Sequence, residues 1–188
     1  MKNIFKIIAC LFLGANLVTC CTQKEAARRP ISHSSGEFMK KSVDRNKKLN
    51  QIEENLIAAQ IKKDTAIKYI ASNKGYWYYY NLKNTVPSAN PKKGDIVFYE
   101  YDVKDLAGNV IYTKEELKKR QYVVDKQDII MGLRDGLKLM QKGEKVTFLM
   151  PSHLAYGYLG DKNKIGANIP VICCVSVSEI KPFESEIK

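Results

Sequence analysis

"DIIMGLRDGLKLMQKGEKVTFLMPSHLAYG", residues 128–157, changes its periodicity halfway along. In its first part Ile130, Leu133, Leu137 and Met140 recur at intervals of three and four, the spacing of one helix face. Gly143 is placed to stop that helix. Beyond it the apolar residues alternate. Val146, Phe148 and Met150 share one face of a strand. Pro151 has no N–H to give a ladder and ends the strand. Then come Ala155, Tyr156 and Gly157. The segment predicts a short amphipathic helix leading into a strand, with a tyrosine just past the strand's end. The sequence shows no nucleophile constellation, metal cluster or phosphate loop to accompany that tyrosine.

Working outward, alternation recurs on both sides. In "DIVFYEYDVK", 95–104, Val97, Tyr99, Tyr101 and Val103 share one face. "DLAGN" turns the chain at Gly108, and "YVVD" reads as a further short strand. In "PVICCVSVSEI", 170–180, Val171, Cys173, Val175 and Val177 share a face. "YWYYYN", 76–81, has strand propensity. "NTVPSANPKKGD" reads as a loop. Several antiparallel strands around one short helix make an α+β domain.

The front of the chain is different. "MKNIFKIIACLFLGANLVTCC" carries Lys2 and Lys6, then twelve apolar-rich residues from Ile7 to Val18. That run is too short to span a bilayer and suits a signal-peptide core. It ends at Cys20 and Cys21, and "LVTC" resembles a lipobox, with Cys20 the expected lipid-modified residue and Cys21 the alternative. Residues 22–37 are polar, with Pro30 and Gly36, and read as a tether. From Phe38 to Gln60 the pattern is helical, with Leu49, Ile52, Leu56 and Ala59 as its apolar stripe. Asp64 is a plausible N-cap for a second short helix through Ile67 and Ile70, stopped at Gly75. The expected organisation is a signal peptide at 1–20, a tether at 21–37, a helical extension at 38–74 and the α+β domain at 75–188.

The 31 basic and 20 acidic residues leave a net charge of +11, which is not gathered into one stripe. Basic residues along 24–63 fit a solvated helical face or attraction to an anionic membrane, at about 1 kcal/mol per residue near such a surface. No nucleic-acid-binding motif accompanies them, so no nucleic-acid partner is expected. Adjacent Cα atoms lie about 3.8 Å apart, below the usual disulfide range of about 4.4–6.8 Å. Cys173 and Cys174 therefore should not pair with each other. His33 and His153 are far apart in sequence, and no metal site is expected.

Taken in order, these segments resemble the FKBP-type peptidyl-prolyl isomerases over about residues 92–181. "PKKGDIVFYEY" looks like that family's opening strand, and "GNVI" like its turn before a "FDSS" element. Residues 128–151 resemble "VIxGWEEGLxxMxxGxKxxxxIP", and "HLAYG" is similar to "xxAYG". The front end, with "ARRPISHSSG", looks like the GldI-like, gliding-motility-associated lipoprotein branch.

The resemblance implies an antiparallel sheet wrapped around one short helix, here preceded by an N-terminal helical extension. It implies a dry pocket that binds X–Pro segments, with no cofactor. By position, Tyr156 matches the tyrosine that donates to a substrate carbonyl, and the Ile130 N–H matches a second donor. Tyr101 matches a pocket tyrosine. Ile129 pairs with Ile130, and Ile165 fits a loop position. Leu133 stands where the family has a tryptophan floor. Ile111 and Cys173 stand in for phenylalanines and Tyr112 for an aspartate. The implied partners are proline-containing polypeptides, a membrane reached through the lipid anchor, and a second copy through residues 38–72. The implied location is the cell envelope, facing the periplasm, on the outer membrane in preference to the inner. An isomerase, a weakly catalytic chaperone or adaptor, and a structural lipoprotein all fit these features.

Overall fold

β3 (Ile96–Lys104) carries the alternation of 97–103 into three dimensions, with Val97, Tyr99, Tyr101 and Val103 all buried. The computed structural model describes residues 35–86 and 88–183. The apolar segment, Cys20 and Cys21, and the tether through residue 34 lie outside the described residues.

The other strands are β1 (Ile70–Ala71), β2 (Trp77–Leu82), β4 (Val110–Tyr112), β5 (Arg120–Val123), β6 (Lys145–Met150) and β7 (Val171–Lys181). All pair antiparallel in one sheet ordered β1–β2–β6–β7–β3–β4, with β5 also on β3. β7 is the spine. Cys173 lies opposite Val103 on one side and Phe148 on the other. The far edge of β3 is shared: Ile96–Tyr99 face β5, while Val103 and Lys104 face β4. Between those pairings the chain leaves the sheet and forms α2 (Lys114–Leu117). Its start is written in the sequence as a capping box, with Thr113 and Glu116 exchanging side-chain and backbone hydrogen bonds.

α3 (Met131–Leu139) lies on the concave face, as its spacing predicts. Leu133, Leu137 and Met140 are buried with Phe148, Met150 and Val175. Burying each such side chain contributes about 1.5–3 kcal/mol. The approach is close. A Cβ on Gly136 would lie 2.7 Å from Cε1 of Phe148, so glycine is required there.

The front differs from expectation in two ways. One helix, α1, runs over Ser35–Lys63, but its buried face is not the predicted stripe. Ile52 and Leu56 are 58% and 51% exposed, whereas Glu53 and Ile57 are 2% and 0%. Both Glu53 oxygens are engaged: Ser152 donates its N–H to Oε2 at 2.6 Å and its hydroxyl to Oε1 at 2.7 Å. The helix is therefore turned so that a carboxylate, one residue along from the apolar stripe, meets two donors. The second helix after Asp64 is absent. The Asp64 N–H continues α1 by bonding the Gln60 carbonyl, and Tyr69 donates its hydroxyl to the Asp64 carboxylate. Ile70 and Ala71 then pair with Tyr78 and Trp77 as a hairpin. Gly75, at φ +88°, turns that hairpin and ends no helix. From Lys40 onward the described chain is one compact unit, so the helical segment packs with the sheet.

The buried carboxylate makes a test of that docking. Glu53→Ala leaves two Ser152 donors unpaired and should cost about 2–4 kcal/mol, given about 1.5–3 kcal/mol for a hydrogen bond to a charged group. Glu53→Gln keeps one acceptor and should cost less. Urea unfolding reads both; a Glu53→Ala protein as stable as wild type would mean α1 is not docked through this pair.

Candidate functional site

The concave face of the sheet has one opening that combines α3, β3 and the loop after β6. It is a cavity of about 430 Å³. The sequence placed six of its lining residues: Tyr101, Tyr112, Ile129, Ile130, Leu133 and Tyr156. Five further residues complete the wall: Tyr99, Leu117, Arg120, Asp128 and Asp161. Three sequence-derived candidates do not line it. Cys173 and Ile165 are buried in the core, and Ile111 packs against that core half-buried. Cys173 sits close behind the phenols of Tyr101 and Tyr156, near enough to influence both.

Each wall has a structural reason. β3 presents Tyr99 and Tyr101 from one face because they are two apart, and their rings stack at 5.8 Å. Leu133, in the first turn of α3, closes the floor and is almost fully buried. Ile130 is the N-cap of α3. Its carbonyl accepts from Arg134 at 2.9 Å, while its N–H has no hydrogen-bond partner among the described residues. That leaves one backbone donor at the cavity edge. Tyr156 follows the single turn Ser152–Leu154, fixed by Ala155 N–H to Ser152 O at 2.9 Å.

The cavity mouth is tied by a clasp that joins β4 to the loop after Tyr156. Tyr112 donates its hydroxyl to Asp161 Oδ2. Asn163 donates its side-chain amide to the same phenol at 3.0 Å. Asp161 Oδ1 accepts the N–H of Asn163 at 2.9 Å and of Ile165 at 2.8 Å. Lys164 bridges to Glu116 and lies over the Tyr112 ring at 4.8 Å. Gly160 allows the loop to fold back, since its φ is +64° and a Cβ would lie 2.2 Å from the Ile165 carbonyl. Ile165 thus acts through its backbone: its N–H and carbonyl hold Asp161.

The electrostatics are those of a site with neutral donors. Burial pushes the Tyr156 hydroxyl well above its ordinary value, and the neighbouring Tyr101 and Cys173 push the same way. Burial also raises Tyr101, though Arg120 and a hydrogen bond with Tyr156 pull it partly back. Tyr99 is pushed up to about 12, first by burial and then by Tyr101. For Tyr112 the hydrogen bond to Asp161 is the leading cause of an upward shift. Asp161 loses solvation, which raises it, but the Tyr112 and backbone hydrogen bonds outweigh that and hold it below the usual range. Near neutrality the phenols are therefore donors and not bases. Nothing in this arrangement is built for covalent attack. It can strip water from an apolar segment and offer hydrogen bonds to carbonyl oxygens.

Comparison with known proteins agrees with that geometry. Residues 88–177 match the family described as FKBP-type peptidyl-prolyl cis-trans isomerase. This part of the chain is similar to FKBP-type domains. The chain is 29% identical over 101 residues to FkpA of Neisseria meningitidis, named as a probable FKBP-type peptidyl-prolyl cis-trans isomerase, covering 54% of this chain and 37% of that protein. Human FKBP9 is 29% identical over 90 residues, covering 47% and 16%. The chain thus spans well under half the length of these curated relatives. Two solved structures share the fold. A peptidyl-prolyl cis-trans isomerase of Pseudomonas syringae aligns with a TM-score of 0.57 at 18% identity, over 72% of this chain and 96% of its own. FkpA of Escherichia coli aligns with a TM-score of 0.57 at 21% identity, over 81% and 75%. The shared fold agrees with the one expected from 128–157 and with a sheet whose described strands all pair antiparallel.

The buried phenols predict a pH dependence with a definite sign. A tyrosine whose folded pKa lies above its unfolded value, near 10, contributes stability in full below about pH 10. That contribution is lost as pH rises through the folded value, about 12 for Tyr99. Urea unfolding should therefore show no loss from these groups between pH 7 and 9, and a clear loss by pH 11. Equal stability at pH 8 and 11 would contradict the burial of these hydroxyls.

Proposed function

We propose that the chain is a lipid-anchored peptidyl-prolyl cis-trans isomerase that helps exported or surface proteins fold. The observation that carries this reading is the pairing of a tyrosine-lined cavity with two donors, the Tyr156 hydroxyl and the Ile130 N–H, in a chain whose residues 88–177 match the FKBP-type family.

The mechanism follows from amide physics. Rotation about an X–Pro bond is opposed by resonance, with a barrier of ~18–20 kcal/mol. The planar amide carries a large dipole that water stabilises, and the twisted amide has less of it. A pocket that replaces water with Leu133, Ile129 and tyrosine rings removes a stabilisation that the planar state loses most. Donors that fit the twisted carbonyl better than the planar one add binding specific to the transition state. Each ~1.36 kcal/mol of that difference is tenfold in rate. Tyr101 stands beside the donor, with its phenol close enough to that of Tyr156 for each to influence the other.

A second reading has its own support. Leu133 replaces a ring at the floor, and Arg120 brings a charge to the wall. A shallower, more polar pocket fits a chaperone or adaptor that binds proline segments and turns them over slowly. Membership of the gliding-motility lipoprotein branch belongs to this proposal too, on the strength of the "TCC" and "ARRPISHSSG" stretches.

Two experiments divide these readings. Tyr156→Phe keeps the ring and removes one neutral hydrogen bond, a loss of about 0.5–1.5 kcal/mol. Catalytic efficiency on X–Pro peptides should fall roughly 2- to 13-fold, with unfolding little changed. A wild type that catalyses, beside a stable Tyr156→Phe protein with unchanged kinetics, would remove Tyr156 from the mechanism. No catalysis by wild type would leave the binding reading. The second experiment replaces Cys20 and Cys21 together with Ser. The double variant should leave the membrane fraction for the soluble one and sediment as a dimer, with Ile52 and Leu56 supplying the exposed apolar surface. Retention on membranes after a high-salt wash would refute the anchor, and a monomer would refute association through 38–72.

A further inference from the structure

Among the described residues that line the cavity, Arg120 is the one charged side chain whose terminal charged atoms have neither an ion pair nor a hydrogen bond. Asp128 pairs with Arg134 at 3.3 Å, and Asp161 is bound by Tyr112 and two backbone N–H groups. Arg120 instead sits with its guanidinium 5.9 Å from the Tyr101 ring centre. Its Nε donates to the Leu117 carbonyl at 3.3 Å. These two contacts hold the guanidinium at the cavity wall and leave its terminal nitrogens without a protein acceptor among the described residues. A planar fork held in this way suits a carboxylate. The charge also reaches the cavity, because it lowers both Tyr99 and Tyr101 against their other shifts.

The other charged residues on the wall, Asp128 and Asp161, are already engaged, so Arg120 is the charge left to meet an incoming segment. Lys118 and Lys119 precede it in the chain. The chain as a whole carries +11, which speeds the encounter with acidic segments at low salt.

We propose that Arg120 makes this site selective for proline segments carrying an acidic residue next to the proline. This rests on the isomerase or proline-binding reading of the same cavity and names the client chemistry it would take. The guanidinium acts on binding and orientation, not on the bond that rotates.

The test uses the double Cys20→Ser, Cys21→Ser full-length chain and two sets of short peptides. One set places Glu, Ala or Lys before the proline, and the other places them after it. Exchange of cis and trans is read by NMR, and binding of the same peptides is read from amide shifts of the protein. In at least one set the Glu peptide should exceed the Ala peptide by about 2- to 5-fold, the range of an exposed charge pair, with Lys below Ala. Arg120→Gln should flatten the order, Arg120→Glu should reverse it, and 0.5 M salt should shrink it. Equal handling of the three peptides in both sets, or a Glu preference that survives in Arg120→Gln, would overturn the inference. If no peptide is isomerised, the catalytic reading falls, and the binding data alone decide the preference: flat affinities refute it and a Glu order lost in Arg120→Gln supports it.

Discussion

How closely α3 can approach the sheet sets the depth of everything built above it. The limit is steric: a Cβ at Gly136 would reach to 2.7 Å from the Phe148 ring, and one at Gly132 would reach to 2.5 Å from the Met150 sulfur. Without side chains at those two points, α3 lies directly on β6. Leu133, between them, then comes down as a floor beside Tyr99 and Tyr101. Overpacking at such a contact costs about 1–3 kcal/mol. That cost would also appear as a raised floor and a smaller cavity, so packing and function share one constraint.

The cavity departs in one coordinated way from the pattern that the FKBP resemblance implies. The position that matches a family aspartate is Tyr112, and the carboxylate is supplied from the opposite side of the mouth by Asp161. The pair does more than hold one side chain, because Asp161 also caps the turn to Ile165 through two N–H groups. The clasp joins β4 and α2 to the loop that begins at Tyr156. Closing the mouth and orienting the donor tyrosine thus become one operation. Exposed charges such as Lys164 and Glu116 add little energy individually, and their contribution here is to restrict where the loop can go.

Sequence periodicity was a sound guide wherever a residue's burial is decided by its own face. That covers 97–103, 171–177 and the buried side of α3, whereas in β6 Thr147 and Leu149 are buried as well as the alternating face. The pocket candidates came from the family resemblance, and six of the nine line the cavity. It misled on α1, because the sequence shows which residues are apolar and not which face finds a partner. Glu53 is buried because Ser152, 99 positions away, offers two donors. No local pattern contains that fact. The Asp64 segment failed for a related reason. The Asp64 carboxylate accepts from the Tyr69 hydroxyl and caps no helix, its N–H continues α1, and strand pairing with Trp77 and Tyr78 claimed what followed. Arg120 and Asp161 were legible only as surface charges, since their role depends on the rim that the fold assembles. Cys173 and Ile165 match pocket positions by alignment, yet smaller or re-aimed side chains leave them behind the wall.

The Glu53 contact also changes how the front of the chain relates to the site. Ser152 opens the single turn that ends at Leu154, and its carbonyl accepts from Ala155, the residue before Tyr156. Glu53 fixes both the N–H and the hydroxyl of Ser152 in a buried setting, where such bonds are strongest. The backbone that delivers the donor tyrosine is therefore held from below by α1 and from the side by Gly157, whose carbonyl accepts from Asn168 at 2.9 Å. A free strand end would let that hydroxyl wander over more than one orientation, and each would have to be frozen out on binding. A helix that from sequence looked like a spacer thus lies two hydrogen bonds and four residues from the group on which the proposed chemistry depends.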